Sequence, residues 1–308
     1  VTFNVGLSAS FPAVSSGTLR LWLKADAGVV TNGSGKVSQW QDQSGNANHA
    51  AQGNVNLQPL LVYPVAIGSR AAVRFDGVQS ASVGDYMHGT GDVGLSNAYT
   101  SFMVYSASDT SPLEELPAWI GASGNYGAGR GYFISNQKLA FATWAYDYAT
   151  AFTIPTNTYR IWTDRFNTNQ NLIELFDSTL ATSTNFSMAT SSQSPPAAGY
   201  YVGGLDPQQT AGRNFNGDIA ELIYFRGSLS EPDRVAVENY LKQKYYQSGS
   251  SGSVSYQWLF NGTNIAGATN SSLALTTVQL ADEGNYSVVV SNSTDFTTSS
   301  NALLTFSA

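Results

Sequence analysis

The sequence predicts an all-β protein of two unequal β-sandwich modules, with a single helix closing the larger one. Three observations predict it. Short apolar segments recur along the chain, separated by turns rich in Gly, Asn, Asp and Ser. Charged residues make up only 11% of the 308 residues, against roughly 25% in ordinary soluble proteins, so Ser, Thr, Asn, Gln and Gly must supply the polar surface. One stretch alone combines helical spacing with helix-start signals. A chain of this length carries about two domains.

The elements follow in order. In residues 1–10, VTFNVGLSAS, Val1, Phe3, Val5 and Leu7 fall on one face and Thr2, Asn4 and Gly6 on the other, the alternation of a half-buried strand. Residues 11–18, FPAVSSGT, have the composition of a linker. From Leu19 to Phe225 the clearest strands are LRLWLKA, AAVRFDG, YTSFMVYSA, LAFATWAY, YRIWTDRF, NLIELFD, YYVGG and GDIAELIYF. Serial short strands of this kind build antiparallel sandwiches. The helix follows: Ser230 is the expected cap, Pro232 suits the first turn, and Asp233 completes an S-x-x-D pattern. Val237, Tyr240, Leu241 and Lys244 then mark its inner face. Residues 247–253, QSGSSGS, read as a flexible linker, and 254–308 is again all β.

Composition removes several functions. The net charge is -7 and no Lys/Arg cluster occurs, so neither nucleic acid nor an anionic membrane surface is an expected partner. No apolar run approaches the ~20 residues of a membrane span. Without Cys there is no disulfide framework, thiolate zinc site or thiol nucleophile. The chain opens at Val1 rather than Met, as a processed secreted form would.

Residues 19–246 resemble the concanavalin A-like, laminin-G-type domains of bacterial surface proteins. The resemblance rests on signatures in order: LRLWLKADAGV; the W-x-D-x-S-G-N-x-N-H-A pattern from Trp40 to Ala50; AVRFDG ending at Gly77; and NFNGDIAELIYFRGSLSEPDRVAVENYLKQKY. It implies a jelly roll of two antiparallel sheets with neighbouring chain ends, and an extracellular or cell-surface location. Residues 254–308 resemble the second half of an immunoglobulin-like domain. YQWLFNG places Trp258 as its buried Trp, and DEGNY makes Tyr286 its corner tyrosine. The family's second Cys falls at Val288, which implies apolar packing in place of the bridge.

A whole immunoglobulin-like domain needs roughly 100 residues, and 254–308 is too short to hold its first two strands. An exposed inner face and unpaired backbone amides, each costing on the order of 1–3 kcal/mol, would remain. Residues 1–9 look like the lost strand. Three arrangements stay open: the strand completes the domain in cis, with the larger domain inserted between two strands of the smaller; it enters the next molecule in trans and builds a head-to-tail filament by self-association; or it lies elsewhere as a frayed segment or an edge strand.

No reaction chemistry is evident. His49 sits in the N-x-N-H-A turn, the other histidine is His88, and no nucleophile elbow or triad can be assembled. Glu114, Glu115, Glu174, Glu221, Glu231 and Glu238 lack the close pairing of glycosidase carboxylates. The Gly-rich NYGAGRG at 125–131 reads as a turn, and no phosphate loop is present. For glycan binding, Trp144, Tyr146 and Tyr148 share one side of a strand, with Trp119, Tyr126 and Tyr132 in the preceding hairpin; core packing accounts for the same rings. For calcium, Asp42, Asn46 and Asn48 are candidate oxygen ligands, with Asp76 weaker, but Asx turns use the same residues. No other cofactor is expected. Two functions remain: a structural or adhesive surface protein, or a carbohydrate-binding module. The split C-terminal domain points to the first.

Overall fold

The computed structural model describes residues 2–4, 11–63, 65, 67, 70–77, 84–91, 93, 98–108, 115–120, 130–135, 137–143, 146–167, 170–187, 199–204, 214–246, 255–291 and 296–306. The chain forms two compact units, one of residues 11–246 and one of residues 1–10 with 247–308.

The large unit is a jelly-roll-like β-sandwich. Among the described residues its first sheet has nine strands, in the order Tyr146–Thr153, Lys138–Thr143, Arg130–Ser135, Glu115–Ile120, Tyr200–Val202, Met87–Gly89, Ala50–Ala51, Val37–Trp40 and Val29–Thr31. The second has eight: Thr182–Ser187, Leu172–Asp177, Arg160–Asn167, Ala98–Ala107, Asn216–Arg226, Ala72–Asp76 and Leu60–Val62, with Thr18–Lys24 also paired to Asn216–Arg226. All of these pairings are antiparallel. The period-2 alternation of the sequence becomes a shared core: Leu21 and Leu23, Phe75, Trp162, Ile219 and Leu222 from one sheet meet Trp40, Met87, Tyr200 and Val202 from the other, all fully buried.

The helix spans Glu231–Tyr246 and buries Val237, Tyr240, Leu241 and Lys244, the face its spacing marks. Its start differs from a simple capping box. The Asp233 N–H reaches the Ser230 hydroxyl at 3.4 Å. The Asp233 carboxylate instead accepts the backbone N–H groups of Ser15 and Ser16, at 3.1 and 2.8 Å. Segment 11–18, expected to be a linker, is therefore bound to the sandwich. The Phe11 ring also packs 4.4 Å from Trp22 and 5.3 Å from Tyr240. Composition hides this because Phe11 is the one large apolar side chain among small residues.

In the small unit, strands Thr263–Asn264, Ser255–Phe260, Gly284–Ser291, Phe296–Thr298 and Ala302–Leu304 form one sheet. Thr2–Asn4 pairs antiparallel with Ser272–Ala274, Phe3 opposite Leu273. Val1, Val5 and Leu7 lie outside the described residues, as does linker 247–253. Trp258, Leu273, Tyr286 and Val288 form the core. The Tyr286 hydroxyl donates to the Asp282 carbonyl at 2.8 Å, and the Trp258 indole N–H to the Asn270 carbonyl at 3.0 Å.

Candidate functional site

Strand pairing places residues side by side on a sheet face that are far apart in sequence. In the nine-stranded sheet one register row runs Met87, Val202, Ala118, Tyr132, Phe141, Tyr148. Met87, Val202 and Ala118 are core residues, so the row belongs to the inner face. Tyr132 and Tyr148 occupy positions on that face, and Tyr146, two residues along the same strand, shares it. The glycan stripe expected along residues 144–148 is thus aligned with the core side. Trp144 and Tyr126 lie outside the described residues.

The neighbouring row faces the other way. It runs Ala51, His88, Tyr201, Trp119, Gly131, Ala142, Asp147. Its start is exposed at Ala51 and half-buried at His88, and the row is buried at Tyr201, which is 5% exposed. The His88 and Tyr201 rings lie 4.7 Å apart at 30°, and Tyr86 adds a third ring 6.2 Å from Tyr201. Position 119 is the direct register partner of Tyr201. Beyond it, Gly131 and Ala142 hold the smallest side chains, and Asp147 ends the row. At ~4.8 Å per strand the distance from His88 to Asp147 is roughly 24 Å. Of the expected candidates among the described residues, only Trp119 belongs to this face. His88, Tyr201 and Tyr86 went unrecognised because the row crosses strands and shows no period in the sequence.

Burial sets the electrostatics beside this sheet. Asp85 is 3% exposed. Its N–H donates to Asp76 Oδ1 at 2.9 Å, and the Lys36 ammonium lies 3.7 Å from its carboxylate. Burial, reinforced by the Asp76 charge, pushes the Asp85 carboxyl up to about 6. Burial likewise raises the Tyr200 phenol, whose hydroxyl donates to the Asn48 carbonyl at 2.6 Å.

The D-Q-S-G-N-A-N turn is held by protein donors. Asp42 Oδ1 accepts the N–H groups of Trp22 and Ser44, at 2.8 and 2.9 Å. Its Oδ2 accepts the Ser44 hydroxyl at 2.7 Å and the Asn48 N–H at 3.0 Å. The Asn48 amide donates to the Arg20 carbonyl at 2.8 Å, and the Asn46 amide to the Leu19 carbonyl at 2.9 Å. This is Asx-turn chemistry, with the Arg20 guanidinium 3.4 Å from Asn46 Oδ1. His49 accepts the Asp42 N–H through Nδ1 at 3.0 Å. Among the described residues no three His, Cys, Asp or Glu side chains gather as a metal site, and no helix is long and apolar enough to cross a membrane.

No protein-family model matches the chain, and no curated protein matches it. Among solved structures it is similar to Trypanosoma rangeli sialidase in complex with sialic acid, at 13% identity and a TM-score of 0.54, over 75% of this chain and 34% of the sialidase. The likeness is one of fold. Two further similarities are weaker. One is to Domain 4 of AbnA, a GH43 extracellular arabinanase from Geobacillus stearothermophilus in complex with arabinotriose (12% identity, TM-score 0.45, 73% of this chain and 98% of that one). The other is to the CBM40 of Ruminococcus gnavus IT-sialidase bound to alpha2,3 sialyllactose (15% identity, TM-score 0.37, 47% of this chain and 84% of that one). The chain spans about a third of the sialidase's length.

Proposed function

We propose that this chain is a non-catalytic, extracellular carbohydrate-binding module whose large sandwich takes an extended glycan across the outer face of its nine-stranded sheet. The observation that carries the reading is the row His88, Tyr201, Trp119, Gly131, Ala142, Asp147. The residue types along the row, aromatic, small and acidic, are those that suit the apolar faces and hydroxyls of sugars. The low charge of the chain and its Ser, Thr and Asn surface suit a neutral polar ligand.

This reading displaces the filament subunit suggested by the split sandwich. Pairing of Thr2–Asn4 with Ser272–Ala274 inside one chain favours the cis arrangement, which needs no second copy. The small unit then acts as an immunoglobulin-like mount for the glycan-binding unit. A non-catalytic role is supported by the commitments of the acidic groups: Glu221, Asp218, Glu174 and Asp42 are each occupied by protein donors.

Isothermal titration with xylo-, cello- and arabino-oligosaccharides and sialyllactose tests the reading. At least one ligand should bind, and Trp119→Ala should weaken it about tenfold, the ~1.4 kcal/mol expected of one aromatic contact, with an unchanged melting temperature. Binding that Trp119→Ala leaves intact, or none across the panel, refutes it.

A further inference from the structure

The eight-stranded sheet carries a cavity, unrelated to the aromatic row. Its volume is about 590 Å³, and it is lined by Tyr63, Arg74, Ser106, Asn157, Tyr159 and Asp218, with Leu61, Val62 and Val65 as an apolar wall. Its floor is a register row, Ser106, Asp218, Arg74, contributed by three neighbouring strands. Arg74 donates to both Asp218 oxygens, from Nε at 2.7 Å and Nη2 at 2.9 Å. The Tyr159 hydroxyl donates to Asp218 Oδ2 at 3.0 Å. The Asp218 contacts hold the Arg74 guanidinium above its ordinary range, so it is charged at any working pH. The rim is fixed as well: the Asn157 N–H bonds the Ala107 carbonyl at 2.7 Å, with Asn157 at φ +53°.

Structural duty accounts for Asp218, Tyr159 and two of the Arg74 nitrogens, but not for the rest. Arg74 Nη1, the Asn157 amide and the Ser106 hydroxyl have no side-chain hydrogen bond among the described residues. The Tyr63 ring stands 72% exposed at the mouth. A large aromatic side chain left in water beside idle donors and acceptors has the composition of a small-molecule site.

We infer that this cavity is a second glycan site, which takes one neutral sugar ring of an oligosaccharide. The Tyr63 face meets the C–H face of the ring, and vicinal hydroxyls engage Arg74 Nη1, Asn157 and Ser106. Neutrality follows from charge: the guanidinium is already matched by Asp218 at 2.7 Å, and the chain's net charge of -7 disfavours anions. The site lies on the opposite sheet from the aromatic row and stands or falls separately.

Amide NMR of the full chain, titrated to millimolar concentration with cellotriose, xylotriose and arabinotriose and, separately, with sialic acid, tests it. A neutral trisaccharide should shift the amides of Arg74, Ser106 and Asn157. The exposed-site variants Tyr63→Ala and Asn157→Gly should each weaken that response about tenfold, and Trp119→Ala should leave it unchanged. Shifts confined to residues 86–88, 119 and 201 would overturn this site and leave the sheet-face reading standing. Shifts here that Trp119→Ala does not touch, with none on the sheet face, would do the reverse. A response to sialic acid alone, or none to any sugar, overturns the inference.

Discussion

The Lys244 ammonium lies 2.7 Å from Glu221 Oε2, a contact that ties the helix to the central strand of the eight-stranded sheet. Glu221 is fully buried and also accepts the Trp22 indole N–H at 2.6 Å and the hydroxyls of Tyr240 and Tyr245 at 3.2 and 2.8 Å. A buried carboxylate is tolerable when every lone pair has a donor, and removing it strands all of them. Glu221→Ala should therefore cost about 3–5 kcal/mol, read by denaturant unfolding. Lys244→Met should cost a similar amount, because it leaves the fully buried Glu221 carboxylate without its cation.

Asp85 gives the large unit a pH signature. Its folded value of about 6 lies above the ordinary 3.8. The protonated form is favoured by folding, so this contribution is complete below pH ~4 and lost as pH rises through about 6. Melting temperature should fall across that window, and Asp85→Asn should flatten the profile, with a gain on the order of 2–3 kcal/mol at pH 7.5. An unchanged profile in the variant would remove Asp85 as the cause.

Gly89 lies beneath the Tyr200 ring, and a Cβ there would come within 2.1 Å of the ring edge. The ring cannot easily yield, because its hydroxyl is held by Asn48. Gly89→Ala should cost about 1–3 kcal/mol in thermal unfolding. In a Tyr200→Ala background the added cost should largely vanish, a coupling that a double-mutant cycle measures.

Deletion of residues 1–10 removes the strand paired with Ser272–Ala274, which carries the core residue Leu273. Hydrogen exchange should speed up across Gly284–Ser291 and remain unchanged across Asn216–Arg226 in the large unit. Uniform protection in both would show that the segment contributes nothing to the small core.

Tyr286→Phe removes the bond to the Asp282 carbonyl and should destabilise the small unit by about 1 kcal/mol, seen in the same exchange measurement.

What the sequence reveals and what it hides divide along a physical line. Strands such as Thr18–Lys24 and Ala72–Asp76 are legible because alternation along the chain records burial directly. The helix is legible from Ser230, Pro232 and the spacing of Val237 to Lys244. The corner made by Tyr286 is legible because it is local. The aromatic row is not, since Tyr201 and His88 meet only through register between distant strands. Nor is the second role of Asp233, whose partners Ser15 and Ser16 lie more than two hundred positions away.

Phe11 rests against Tyr240, and the helix carries the chain on to Tyr246, roughly 9 Å farther along its axis. The backbone thus goes in and comes out of the larger unit by nearly the same door. Such a part can be excised and replaced by a brief loop, or exchanged for another of similar footprint, without re-routing its host. In evolutionary terms this makes it a cassette that is free to change while the chain on either side of it stays constant.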